Sequence, residues 1–304
     1  MCGGRSYLRE VFSVALKIHE ITAKSILTPT KVPSADYVIN PYTGCQFACM
    51  YCFASFMGRF VGESNDNWGN YVYVKTNAVE LMESEIHRLL KKNPHPRISI
   101  STVTDPYQGV ERKYRLTRGI LNVFATHAYQ GRVSILTKSP AVLDDLEVMA
   151  NIPNIEVGLS ITTTDDTLSR HLDVMAPLAS ARLEALRKLN EAGIRTYVFV
   201  GPLLPHMFLK PELLDALFRK IRNAGTRDIK IEYLNLPKHV RPKMKQLMEN
   251  EPEDVRRVYA ASQQGTYRTQ LEPVLRAAVK KHGLSLRFGE IIHHAGKQDL
   301  KESR

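Results

Sequence analysis

Three of the chain's four cysteines crowd into one run, Asn40-Pro-Tyr-Thr-Gly-Cys45-Gln-Phe-Ala-Cys49-Met-Tyr-Cys52, while Cys2 stands far away. Iron–sulfur clusters are normally held by four thiolates, so three thiols at a C-x3-C-x2-C spacing leave one iron of a [4Fe-4S] cluster without a protein ligand. An open iron is a place for another molecule to bind. A structural zinc site typically draws four ligands from paired C-x2-C units. Here there is no second cysteine pair, and the nearest downstream histidine is His87. A disulfide within the run would close only a tiny loop, and a long chain without a secretory start keeps its thiols reduced. Chance clustering of buried thiols is the remaining alternative.

The spacing resembles the signature of the radical S-adenosylmethionine (SAM) enzymes. That resemblance implies that the amino and carboxylate groups of S-adenosylmethionine chelate the free iron, and that an electron from the cluster breaks the sulfonium to give a 5′-deoxyadenosyl radical. It also implies an electron donor such as flavodoxin or ferredoxin. The residue before the third cysteine is usually aromatic in these enzymes and lies near the adenine; here it is Tyr51. Cys2, with no motif around it, is expected to have no part in the cluster.

At 304 residues the chain suits one α/β barrel with terminal extensions. No apolar run is long enough to span a bilayer, and the first residues lack a signal-peptide pattern, so the expected location is the cytoplasm, under reducing or anoxic conditions. Lysine and arginine total 42 against 31 acids, a net +11, which makes a phosphate-bearing partner plausible. Residues 238–304 hold 14 Lys or Arg and 8 Asp or Glu, so 14 − 8 = +6 of that excess lies late in the chain. The bland alternative is a solvated basic surface.

Along the chain, residues 1–17 read as a leader of unassigned role, with Tyr7 to Ile21 apolar at mixed spacings. A short strand over 37–41 runs into the cysteine loop. Helix-period and alternating stretches then take turns: helix 77–91, strand 97–103, helix 115–128, strand 133–137, helix 141–149, strand 155–162, helix 180–192, strand 195–200, a helix from Pro211 to Gly225 and strand 228–234. Six parallel-type strands with helical crossovers predict an open, partial (β/α)6 TIM-type barrel over residues 18–237, with chemistry at the carboxyl ends of the strands. A doubly wound sheet is the structural rival, but no G-x-G-x-x-G follows the first strand. Residues 238–304 read as a mainly helical extension, with helices at 241–250, 252–262 and 268–282 and a strand at Ser285–Phe288, placed to cap the open side. His293 and His294 look like a metal pair, but a polar tail near a terminus is commoner and they are given no role.

From about Glu20 to Pro237, with Phe56-Met-Gly-Arg-Phe60, Trp68-Gly and Val74-Lys-Thr-Asn-Ala, the chain resembles the spore photoproduct lyase-like branch of the superfamily, whose members are often labelled DNA repair photolyases. At the strand ends, Thr104 and Asp105 are candidates to accept from the cofactor's ammonium group. By the resemblance, Lys138 and Ser160 hold its methionine carboxylate. Tyr107, Gln108, Glu232 and Asn235 are weaker candidates to face substrate. The expected function is hydrogen abstraction from a substrate, with nucleic acid as the leading class. The alternatives are a small molecule or peptide substrate, and a non-catalytic nucleic-acid-binding iron–sulfur protein. In true spore photoproduct lyases a cysteine on the strand-two segment donates hydrogen to the product radical. Alignment of that segment onto Ser99–Asp105 puts Thr102 at its place, which implies a different radical reaction.

Overall fold

The computed structural model describes residues 15–92 and 95–293; Cys2 and His294 lie outside them. Six parallel strands form the frame in chain order: β3 (Tyr37–Ile39), β6 (Ile98–Ile100), β7 (Val133–Thr137), β8 (Ile155–Ser160), β9 (Arg195–Leu203) and β10 (Asp228–Tyr233). β2 (Leu27–Pro29) adds antiparallel to β3, and β11 (Ser285–Leu286) adds parallel to β10. The sheet runs β11-β10-β9-β8-β7-β6-β3-β2, and no pairing joins its two edges among the described residues. This is the open α/β barrel that six strands predict.

Alternation sets which face meets the helices. In β7, Val133, Ile135 and Thr137 are buried while Ser134 and Leu136 are less so. Val133, Ile135, Val157, Val198 and Ile229 share one core with the buried stripes of helices α1 (Ala78–Lys92), α3 (Leu116–Thr126), α6 (Ala179–Glu191) and α7 (Pro211–Asn223); one-turn α2 (Glu111–Tyr114) and α4 (Leu146–Met149) and short α5 (Asp166–Leu172) lie between these. Each such side chain contributes about 1.5–3 kcal/mol through burial. At the amino-terminal end of β8, Glu156 accepts from Arg287 Nη2 at 2.6 and 2.7 Å, and that guanidinium lies 4.4 Å over the Tyr197 ring. This ion pair lies at the amino-terminal end of β8, the opposite edge of the sheet from the cysteines.

Several elements differ from the sequence expectation. The strand expected over 97–103 stops at Ile100 because Ser101 takes φ +61°, and Asn40 Oδ1 accepts from the N–H groups of Thr102 and Val103 (3.0 and 3.3 Å). The strand expected over 37–41 ends at Ile39. Tyr42–Thr43 (β4) instead pairs with β5 (Tyr71–Lys75), which also takes β1 (Lys17–Ile21) as a parallel partner, making a second, three-stranded sheet. The expected leader boundary at residue 17 thus falls within a strand. The helix expected over 115–128 forms as α3, and Arg115, at φ +51°, separates it from α2. Helix 141–149 is a 3-10 segment, Pro140–Asp145, followed by α4, with the Ser139 hydroxyl accepting from Ala141 N. In the late segment α8 (Arg241–Met248), α9 (Glu253–Ala261) and α10 (Gly265–Lys281) match the expected helices within a few residues. The strand there stops at Leu286, and Phe288 has φ +70°. No helix among the described residues is long and apolar enough to cross a membrane.

Candidate active site at the cysteine loop

The cysteine loop is shaped by the backbone on either side of it. Gly44, immediately before Cys45, has φ +94° and packs so closely on Tyr71 that a side chain would collide with it. Ala48 has φ +51°, and a Cβ on Gly69 would come within 2.5 Å of its methyl group. A non-glycine residue in a left-handed conformation is strained and persists only where the surroundings enforce it. Here Met50 N donates to Leu172 O at 2.9 Å and Met175 N to Phe47 O at 3.0 Å, so the segment after α5 holds the loop. Thr104 Oγ1 donates to Gly44 O (2.5 Å), Gln108 Nε2 reaches the same carbonyl (3.3 Å), and Gln108 Oε1 accepts from Gln46 N (2.9 Å).

Cys45, Cys49 and Cys52 are all free thiols, the first two buried and the third partly so. Burial pushes each thiol above its ordinary range. Asp105 and Cys52 add to the effect at Cys45, and Asp173 adds to it at Cys49, while Lys138 opposes it at Cys49 and Cys52. Three mutually repelling thiolates become favourable only with a cation among them, since a bound metal deprotonates a coordinating thiol. This donor set fits a cluster held on three irons by soft sulfur.

Beside the thiols, Lys138 Nζ lies 5.5 Å from the Tyr51 ring centroid. Burial opposes its charge, but Cys49, Asp173 and Cys52 outweigh that and raise its pKa. Tyr51 donates its hydroxyl to Asp173, which is also paired with Arg182 at 2.6 Å. Burial works against the Asp173 carboxylate, yet Arg182, Lys138 and Tyr51 together hold its pKa below the usual range. Arg182 further donates to Ser160 O (3.1 Å) and Pro177 O (2.8 Å), linking the end of β8 to the cysteine loop.

The structure brings Cys45, Cys49, Cys52, Tyr51 and Lys138 together, with buried Ser160 joined to them through Arg182. Thr104 and Asp105 flank the loop but are heavily engaged. Asp105 is buried and accepts from Thr137 Oγ1 (2.6 Å), Tyr107 N (2.9 Å) and Lys138 N (2.8 Å), so its carboxylate fixes the backbone that carries Lys138. Tyr107 is buried against Asp145 (2.9 Å) and Gln108 is fully buried; both brace the site from within. Glu232 and Asn235 are half-buried. Glu232 attracts Lys230, whose Nζ lies 5.0 Å over the Phe199 ring. Sequence reading missed Asp173 and Arg182. The signal was present in α6, whose buried stripe Ala179, Arg182, Ala185, Leu186, Leu189 has a charge where an apolar residue is expected.

Residues 39–217 match the model of the Radical SAM superfamily. The chain is 38% identical over 192 residues, 63% of its length, to an uncharacterized protein of Methanocaldococcus jannaschii, of which it covers 70%. It is 23% identical over 207 residues to the spore photoproduct lyase of Clostridium acetobutylicum, covering 67% of this chain and 57% of that one. The solved spore photoproduct lyase complexed with dinucleoside spore photoproduct superposes with a TM-score of 0.67 at 18% identity, over 92% of this chain and 83% of the other. With more than half of its length matching that model and its three cysteines gathered at the carboxyl end of the first parallel strand, the chain belongs to the Radical SAM superfamily.

Proposed function

We propose that this radical SAM enzyme abstracts hydrogen from a nucleic acid. The observation that carries the reading is an aromatic and basic surface beginning directly after Cys52. Phe53 and Phe60 are 47% and 63% exposed, and the Arg59 guanidinium lies 4.6 Å over Phe60 and 5.1 Å over Phe56. His239 stands edge-on to Phe56 at 6.0 Å and meets Phe53 O at 2.8 Å, and Lys243 donates to Asn65 O at 3.0 Å. Exposed aromatics interleaved with cations are the surface on which bases stack, and the net +11 favours a polyanion. The solved relative bound to a dinucleoside supports the same direction.

When bound, the cluster supplies the electron that cleaves S-adenosylmethionine. In this reading Cys45, Cys49 and Cys52 hold it. Lys138 and the end of β8 at Ser160 hold the methionine carboxylate, through the charged hydrogen bond an ammonium makes to a carboxylate. Tyr51 lies near the adenine, kept in place by Asp173. Thr104 and Asp105 contribute by fixing the Cys45 turn and the Lys138 backbone. The enzyme needs an electron donor, for which a flavodoxin or ferredoxin is the proposed class.

Binding of a short single-stranded DNA or RNA to the anaerobically cluster-loaded protein tests the substrate class. Affinity should fall steeply with salt, with several units of slope in log K against log [salt] as counterions are released. Phe60→Ala should weaken binding by about one to two orders of magnitude, because stacking contributes about 1–3 kcal/mol per base. A flat salt profile, or no binding at low salt, would move the substrate to small molecules or peptides.

A further inference from the structure

On the outer surface, away from the cysteine loop, Glu83 and His87 stand one turn apart on α1, and His127 caps the carboxyl end of neighbouring α3. One ligand atom from each of the three lies within 4.8 Å of the others. His127 Nε2 is 2.7 Å from Glu83 Oε1, and the His87 and His127 rings meet edge-on with centroids 4.8 Å apart. We propose that Glu83, His87 and His127 form a site for a divalent transition cation of the zinc class, with water completing the coordination.

The support is rigid. At Gly119 the two helices approach so closely that a Cβ would come 2.5 Å from Val79 Cγ2, and Met82 and Ile86 of α1 lie in the same core as Ile120 and Phe124 of α3. The i, i+4 spacing of Glu83 and His87 places both on one helix face. His127 is anchored by its backbone N–H to Val123 O at 3.1 Å, so only side-chain torsions have to adjust. Zinc bonds of about 2.0–2.2 Å put tetrahedral donors roughly 3.3 Å apart, and exposed or half-buried side chains cover the difference by rotating. Two imidazoles and one carboxylate are a borderline donor set suited to zinc, and three protein ligands leave a position open.

The site is distinct from the chemistry already described. α3 runs back toward the start of β7, so its carboxyl end lies toward the amino-terminal edge of the sheet, whereas the cysteine loop is at the carboxyl edge. A cation held there cross-links α1 to α3 and stabilises the folded state through binding it alone.

The test uses the full chain, anaerobically loaded with its cluster so that the cysteines are filled, and titrates zinc chloride by calorimetry. The expected result is one zinc per chain with a Kd in the micromolar range or tighter, at least tenfold weaker binding in His87→Ala and in His127→Ala, and a zinc-dependent rise in thermal midpoint that those variants lose. X-ray absorption at the zinc edge should show two imidazoles. Glu83→Gln, which keeps the shape of the side chain, should also weaken binding. Unchanged circular dichroism and iron content would show that the variants fold. No zinc uptake by the wild type, or uptake equal in wild type and the His87→Ala/His127→Ala double variant, would overturn the proposal and leave Glu83 and His127 as a hydrogen-bonded surface pair.

Discussion

Lys138 is the residue on which the charge balance of the site turns. Its ammonium faces two thiols and the Asp173 carboxylate, and it keeps its proton although burial opposes that. Replacing it with alanine should remove a charged hydrogen bond to the cofactor carboxylate worth about 1.5–3 kcal/mol, or roughly ten- to a hundredfold in affinity. Equilibrium dialysis of S-adenosylmethionine against the cluster-loaded Lys138→Ala protein measures this, and unchanged affinity would return the lysine to a purely electrostatic role toward the thiols. The cysteines were legible in the sequence because their chemistry depends on spacing within one short run. Asp173 and Arg182 were not, because they come from separate segments and acquire meaning only when the fold stacks them under Tyr51. Asp105 shows the converse difficulty: a carboxylate at a strand end reads as a ligand, yet here its oxygens are occupied by Thr137, Tyr107 and Lys138.

At the scale of elements, the six parallel strands were readable because most of their residues on one face are β-branched or leucine, with a clear alternation in β6, β7 and β10. The three-stranded sheet was not. β1 and β4 are too short and too exposed or too irregular to show a pattern, and β5, with Tyr71 and Tyr73 on one face and Val72 and Val74 on the other, is apolar on both and shows no polar alternation. The late helices dock through buried Val258, Leu271, Leu275 and Val279 in the common core, and a buried polar contact beside them was not readable from the sequence. His206 stacks on Tyr259 of α9 with ring centroids 6.0 Å apart and its Nδ1 3.1 Å from the Tyr259 hydroxyl. Burial, with Lys210 nearby, lowers its pKa to about 4. In the unfolded chain a histidine titrates near about 6.5, so between those values the unfolded state binds more protons than the folded one. The stabilisation from neutral His206 is therefore present above pH 6.5 and lost as the pH falls toward 4, by at most about 3 kcal/mol. His206→Gln, which cannot titrate, should flatten the fall in urea midpoint between pH 7 and 4.5. An equally steep fall in that variant would assign the acid sensitivity to other groups.

For the whole molecule, the open question is what the radical does once formed, and the distribution of cysteines bears on it. Returning a hydrogen atom to a product radical needs a weak bond to hydrogen, and an S–H bond is far weaker than an alcohol O–H. Among the described residues the only thiols are the three in the cysteine loop, and the resemblance to spore photoproduct lyases puts Thr102 where their donor cysteine stands. In the fold Thr102 lies in the turn directly after β6, its backbone N–H held by Asn40 Oδ1 at 3.0 Å. It is thus at the carboxyl edge, on the same side as the cysteine loop, but it carries a hydroxyl. Cys2 lies outside the described residues. The chain is accordingly expected not to reverse the spore photoproduct efficiently, despite its fold-level likeness to that lyase. Incubation with a synthetic spore photoproduct dinucleotide under anaerobic, reducing conditions should give 5′-deoxyadenosine with slow or aberrant repair. Thr102→Cys should shift the products toward clean thymidine release, because the thiol restores the donor. Clean, multiple-turnover repair by the wild type would refute the argument and direct the search for a donor to Cys2.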